Sequence, residues 1–252
     1  MKLNIVPART GLVWVRLGLQ TFLRQPLALT GLFFMYMVAV MLVAQIPLIG
    51  PIVSGMLVPA ATLGLMAASA EAAKGRFPMP SVLLSAFRAG RERVNAMLVL
   101  GAIYATGSLV AIQLALLIAG DQPAVQDAME FDPTTLVALA LHTPLILMFW
   151  HAPALVHWHG VSPAKSLFFS LVACLRNFTA MLVFGLTWTA LFLASGTLFG
   201  LIGGMIGGAA GARAVITPVA LIAVAMFSTS IYFTFRDSFL QTQETGSTDP
   251  AA

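Results

Sequence analysis

The chain has 252 residues, of which 59% are apolar and only 9% charged, and its mean hydropathy is +0.93. A soluble domain carries roughly a quarter charged residues, so these few charges cannot clothe a water-facing surface, and lipid is the expected solvent. The formal charge of +4 does not point to nucleic acid, because the basic residues fall between apolar runs rather than in one patch, and the single cysteine, Cys174, excludes an intrachain disulfide or a Cys-based zinc site.

The first segment, "PARTGLVWVRLGLQTFLRQP", places Arg9, Arg16, Gln20 and Arg24 at helical spacing. At 100° per residue they fall within an arc of about 80°, and Leu12, Trp14, Val15, Leu19 and Phe22 fill most of the rest. A helix with a basic stripe and a broad apolar face lies in the membrane interface with its cations at the headgroups. Arg9 and Arg16 also interrupt the first apolar stretch, which argues against a cleavable signal. No charge follows from Leu27 to Ala70, enough for two spans of about 20 residues each, near 27–46 and 52–71, with the turn at "IPLIGP".

The next segment, "PSVLLSAFRAGRERV", reads as a second interfacial helix with Ser81, Ser85, Arg88 and Glu92 as its polar stripe. Further spans follow near 95–119 and 135–157, joined by "GDQPAVQDAMEFDP", whose Asp121, Asp127, Glu130 and Asp132 lack the spacing of a calcium loop and read as a solvated outer loop. "SPAKSLFFSLVACLRNF" is a third interfacial helix with only Lys165 and Arg176 near one line, so it is expected to sit deeper or against the bundle. Two more spans, near 178–202 and 214–235, complete six, and residues 241–252 read as a disordered tail.

Every Lys and Arg except Arg213 falls on one face of this topology, which the positive-inside rule makes cytoplasmic, along with both termini. The expected fold is therefore all-α: a polytopic membrane protein of six transmembrane helices, paired as three hairpins with cytoplasmic-side interfacial helices. Residues 1–240 form its single integral domain. "AMLVLG" at 96–101 recurs as "AMLVFG" at 180–185, and the same offset of 84 superposes the second and third interfacial helices. Three repeats follow, near 7–71, 78–157 and 162–236, each with an interior proline in its second span: Pro59, Pro153 and Pro218.

The stretches "FWHAPALVHWHGVSPAKSLFFSLVACLRN" and "VPARTGLVWVRLGLQTFLRQPLALTGLFF" resemble a proteobacterial family of six-helix inner-membrane proteins known mainly by a locus-tag name. More distantly the chain is similar to the membrane domain attached to some glycerophosphodiester phosphodiesterases. The resemblance covers most of residues 5–236. It implies a bacterial inner-membrane protein and carries no catalytic residues over.

Residues 196 to 211 hold seven glycines. A phosphate loop would need GxxxxGK or a GxGxxG after a strand, and neither is present. Gly196, Gly200, Gly204 and Gly208, spaced by four, instead make a helix-packing surface, within the chain or between copies of it. Arg9, Arg16, Arg24, Arg88, Lys165 and Arg176 are the candidate headgroup contacts. Histidine at membrane depth is a functional suspect, but His142, His151, His157 and His159 share no helix face, which weighs against a metal site. Pro59, Pro153 and Pro218, with His151, are candidates for a shared cavity between broken helices.

No paired carboxylates and no nucleophile–base set lie within the spans, so no catalytic residues, metal or cofactor are expected. Two functions fit: a non-enzymatic scaffold or lipid-interacting protein, or a small transporter or channel for an apolar or weakly polar solute. The absence of a charge at depth favours the first. Its expected partners are anionic headgroups on the cytoplasmic side and either a second copy or another membrane protein.

Overall fold

The computed structural model describes residues 2–120 and 133–239. The acidic outer loop and the tail lie outside that range. Among the described residues every regular element is helical: α1 (Thr10–Arg24), α2 (Pro26–Ala44), α3 (Gly50–Ala73), a 3₁₀ segment (Pro80–Phe87), α4 (Arg91–Ala119), α5 (Pro133–Phe149), α6 (Ala152–His159), α7 (Pro163–Arg176) and α8 (Phe178–Ser238). Among the described residues five stretches are long and apolar enough to cross a membrane: α2, α3, α4, α5 with α6, and α8.

α3 is the central helix. In its spanning window 44% of residues are buried, against 17–22% in the other four stretches, and it packs on α2, α4, α6, α8 and the 3₁₀ segment. Small residues make this crowding feasible: Ala60, Gly64, Ala68 and Ala72 are all buried, so neighbouring backbones approach closely. Pro59 lies within α3 without interrupting it. Pro153 has a larger effect. It offers no amide hydrogen to the turn before it, and the helix stops at Trp150 and His151 before restarting as α6.

α8 is 61 residues long but folds back on itself at Gly207 and Gly208. Gly208 takes φ +58°, ψ −147°, a conformation that glycine adopts without Cβ strain. The limbs 178–206 and 209–238 run antiparallel, and the Trp188 Nε1–H donates to Ser230 Oγ across them at 3.1 Å. The segment 203–213, expected as a connection, is thus helical except at the break.

The glycine contact also differs from the expected line. A Cβ on Gly203 would lie 2.5 Å from the Gly211 carbonyl oxygen, so these two, outside the expected four, carry the closest approach. Of the four expected glycines only Gly200 meets the opposite limb, at Ile216. Gly208 forms the turn, and Gly196 and Gly204 face nothing within 4 Å. The reason is register: a turn at 207–208 pairs residues equidistant from it.

α1 lies across the base of this hairpin. Gly11 meets Ala180 and Phe184 of one limb, Gly18 meets Ser230 of the other, and Trp14 packs edge-on to Phe184 at 6.1 Å. Only part of its apolar surface enters the bundle: Leu12, Val13 and Leu23 stay exposed beside Arg9, Arg16 and Arg24. α7 packs against α5 and α6 through Ser166, Ser170, Ala173 and Cys174, leaving Lys165 and Arg176 exposed.

The second expected interfacial helix does not form. Pro80–Phe87 is a 3₁₀ turn held on α3, where Leu83 meets Gly64, and Gly90 at φ +92° breaks the chain before α4 begins. Glu92 therefore belongs to α4, and the stripe from Ser81 to Glu92 is split between two elements. Arg88 remains exposed just past the 3₁₀ turn.

Candidate functional site

A cavity of about 1110 Å³ opens on the side that carries α1, the 3₁₀ segment and the end of α8. Four elements and the chain's first residues build it. α3 contributes Ala67, Ala70 and Glu71 from its last turns, followed by Lys74; the 3₁₀ segment contributes Val82 and Ser85. His157, Trp158 and His159 come from the end of α6, and Tyr232, Phe235 and Arg236 from the last turns of α8, with Phe239 just beyond. Lys2, Leu3 and Asn4 close one side.

The first residues are held there by two asparagines. Asn4 Nδ2–H donates to the Asp237 carbonyl at 3.0 Å, and its backbone N–H to that of Ser238 at 2.9 Å. Asn177, buried between α7 and α8, accepts from the Val6 N–H at 2.9 Å and donates to the Asn4 carbonyl at 3.1 Å. Asp237 in turn accepts from Trp14 Nε1–H of α1 at 3.0 Å. Lys2 is thereby delivered to the cavity's edge.

The cavity is amphipathic. Its wall is aromatic: Trp158 packs on Phe235 at 5.2 Å and on Tyr232 at 6.1 Å, and Phe235 on Phe239 at 5.4 Å. Its charges are mostly positive. Lys2, Lys74 and Arg236 line it, while the one carboxylate, Glu71, is engaged by Arg76. Arg236 is steadied by Asp237 at 2.7 Å and by the Phe233 ring at 5.0 Å.

His151 stands apart from this cavity. It is 1% exposed and held on every side. Its N–H donates to Ser170 Oγ at 2.9 Å, and that hydroxyl donates to the Leu147 carbonyl at 2.8 Å. Its Nε2 lies 3.3 Å from Thr234 Oγ1. The Thr234 proton goes to the Ile231 carbonyl at 2.7 Å, so Thr234 accepts from Trp150 Nε1–H at 3.0 Å and from His151. This puts the imidazole proton on Nε2 and turns Nδ1 toward Cys174 Sγ, 3.9 Å away. His151 therefore pins α6 to α7 and α8. Burial pushes the Cys174 thiol up to about 12.

The other sequence candidates separate. Pro59 and Pro153 line one gap of about 160 Å³, with Tyr104 and Trp150, but neither His151 nor the exposed Pro218 reaches it. His142 Nδ1 bonds the Ala138 carbonyl of its own helix at 2.9 Å, and the His159 ring lies tilted against Phe235 at 5.9 Å. Among the described residues no three metal-ligating side chains converge. Arg9, Arg16, Arg24, Arg88, Lys165 and Arg176 are all exposed and none lines the large cavity.

Sequence reasoning missed Asn4, Asn177 and the cavity itself. Asn177 was the one available signal, an amide set between Arg176 and an apolar run.

These features define an all-helical membrane protein with a cation-rimmed, aromatic-walled cavity at one end of its bundle. Over 259 aligned residues it is 38% identical to the probable inner membrane protein BTH_II0599 of Burkholderia thailandensis, covering 95% of this chain and 94% of that one. The chain belongs to that family of bacterial inner-membrane proteins. The match supports the first resemblance noted above and lends none to the glycerophosphodiester phosphodiesterase domain. No family model and no solved structure matches the chain.

Proposed function

We propose that the protein is a non-enzymatic, lipid-interacting component of the inner membrane that holds an anionic amphiphile at its cytoplasmic face. It crosses the bilayer six times as three hairpins, with α5 and α6 together making one crossing and each limb of α8 another. Both termini are cytoplasmic, because Arg213 alone among the Lys and Arg residues falls on the opposite side.

The observation that carries this reading is the large cavity. Aromatic side chains suit the bilayer interface, where one end of a ligand is apolar and the other wet. With Arg236 paired to Asp237 and Glu71 to Arg76, Lys2 and Lys74 are the rim charges that favour a negative headgroup. The exposed arginines of α1 add attraction to an anionic surface, on the order of 1 kcal/mol each.

A transporter is the second reading, favoured by the convergence of Pro59 and Pro153 on one gap. That gap's lining carries no charged side chain, and its volume suits a few methylene groups better than a passage.

Native mass spectrometry of gently extracted protein, offered equal phosphatidylglycerol and phosphatidylethanolamine, tests the proposal. Phosphatidylglycerol is expected to be retained preferentially, and Lys2→Gln with Lys74→Gln to abolish the preference. Equal retention of both lipids, or a preference indifferent to the two lysines, would sink it.

A further inference from the structure

α4 turns one side to α3 and α5 and leaves the other exposed. Met97, Gly101 and Ala105 are buried on the first side. The exposed side is aliphatic through the membrane except at Thr106 and Gln113. Arg91 and Arg93 hold the start of the helix at the headgroups, and the hydrocarbon takes about 20 residues beyond them. Thr106 therefore sits near mid-depth, and Gln113 lies just inside the far edge. Apart from Asn95 in the second turn of α4, Gln113 is the one amide in the five membrane-crossing stretches. Neither Thr106 nor Gln113 has a hydrogen-bond partner among the described residues. Thr143 and Thr189, likewise exposed, return theirs to carbonyls four residues back, at 2.9 and 3.0 Å.

The two polar positions belong to one pattern. Val99, Ala102, Thr106, Leu109, Gln113 and Leu116 are all exposed and follow the alternating three- and four-residue steps of a coiled-coil seam. Thr106 and Gln113 hold equivalent places one heptad apart, and the small Ala102 lets a second backbone come close. Two copies of the chain in one bilayer share an orientation, because the same charge asymmetry inserts both. Their α4 helices can then meet only in parallel, and a twofold axis sets each seam residue opposite itself. An amide suits that place. Its N–H and its carbonyl oxygen carry opposite partial charges, so each amide complements its own copy. Lipid tails offer neither group a partner.

We propose that this seam of α4 is the contact surface for a second copy of the chain. In the resulting parallel dimer each Gln113 amide donates to the oxygen of the other, and the Thr106 hydroxyls face the same axis one heptad earlier. α4 contributes nothing to the lining of the large cavity, so the dimer stands apart from the lipid-binding reading.

Oxidative cross-linking of the full-length chain in its own membranes, in a Cys174→Ser background, tests the seam. Leu109→Cys and Leu116→Cys are expected to give a product of twice the chain's mass. Leu114→Cys and Ile118→Cys, exposed but turned away from the seam, are expected to give none. Gln113→Leu places an apolar side chain toward lipid and should leave the thermal midpoint unchanged. In a detergent dilution series it should weaken the dimer about threefold to tenfold, as loss of interhelical hydrogen bonds implies. Gln113→Asn, which keeps the amide, should lose less.

Cross-linking at none of the four positions would overturn the proposal and leave the seam to lipid. Equal cross-linking at all four would overturn it as well, by marking the product as chance collision. A product at Leu109→Cys and Leu116→Cys of some other mass would overturn the second copy in favour of a different membrane protein. A Gln113→Leu dimer as tight as that of the natural chain would also overturn it, since the amide would then decide nothing.

Discussion

At the scale of single residues, polar groups inside the bundle hold its helices together: His151 and Thr234 are matched to each other and to Trp150 and Ile231. Cys174 shares that environment, 2% exposed and facing Leu147 and His151. Burial disfavours the charged thiolate, so its pKa rises to about 12. At pH 8, four units below, only about one thiol in ten thousand is ionised. Maleimide should therefore leave the folded protein unlabelled over minutes and label it at once in SDS. Rapid labelling without SDS would mean that the contact of α7 with α5 and α6 opens readily. Cys174 stands among apolar residues in the chain, yet nothing in the sequence signals that His151 would be its neighbour, since the two meet only when α7 docks.

At the scale of elements, local pattern located the helices better than it located their contacts. The two-residue turn at Gly207–Gly208 decides which glycines face inward, and a run of seven glycines offers several equally good turns. The 3₁₀ segment was obscured for a related reason: Pro80–Phe87 has an amphipathic pattern, but its backbone follows its contact with α3 at Gly64. The glycine register has a direct test. Gly203→Leu drives a side chain into the Gly211 backbone and should cost about 1–3 kcal/mol by overpacking. Gly204→Leu points into open space and should shift stability by no more than about 0.5 kcal/mol. Thermal unfolding in detergent compares the two. If Gly204→Leu instead changed the mass of the native particle, Gly204 would be a contact between copies of the chain.

At the scale of the whole molecule, the cavity lies at one end of the helix bundle. Its lining comes from five separated stretches of chain, so no local motif announced it, whereas the charge asymmetry from which its cytoplasmic orientation is proposed is plain in the sequence. Each limb of α8 holds about 30 residues and so reaches about 45 Å, more than a hydrocarbon core of about 30 Å requires. A limb of that length can carry the Gly207–Gly208 turn past the far headgroups while its other end stays beside α1. In a Cys174→Ser background, Ala210→Cys marks that turn and Arg88→Cys marks the cavity side; both positions are exposed. A membrane-impermeant maleimide should label Ala210→Cys in intact spheroplasts and Arg88→Cys only in inverted vesicles. Labelling of both from one side would reduce α8 to a hairpin that enters and leaves by the same face, and with it the count of six crossings. The reverse pattern would turn the cavity outward and remove the cytoplasmic leaflet as the source of its ligand.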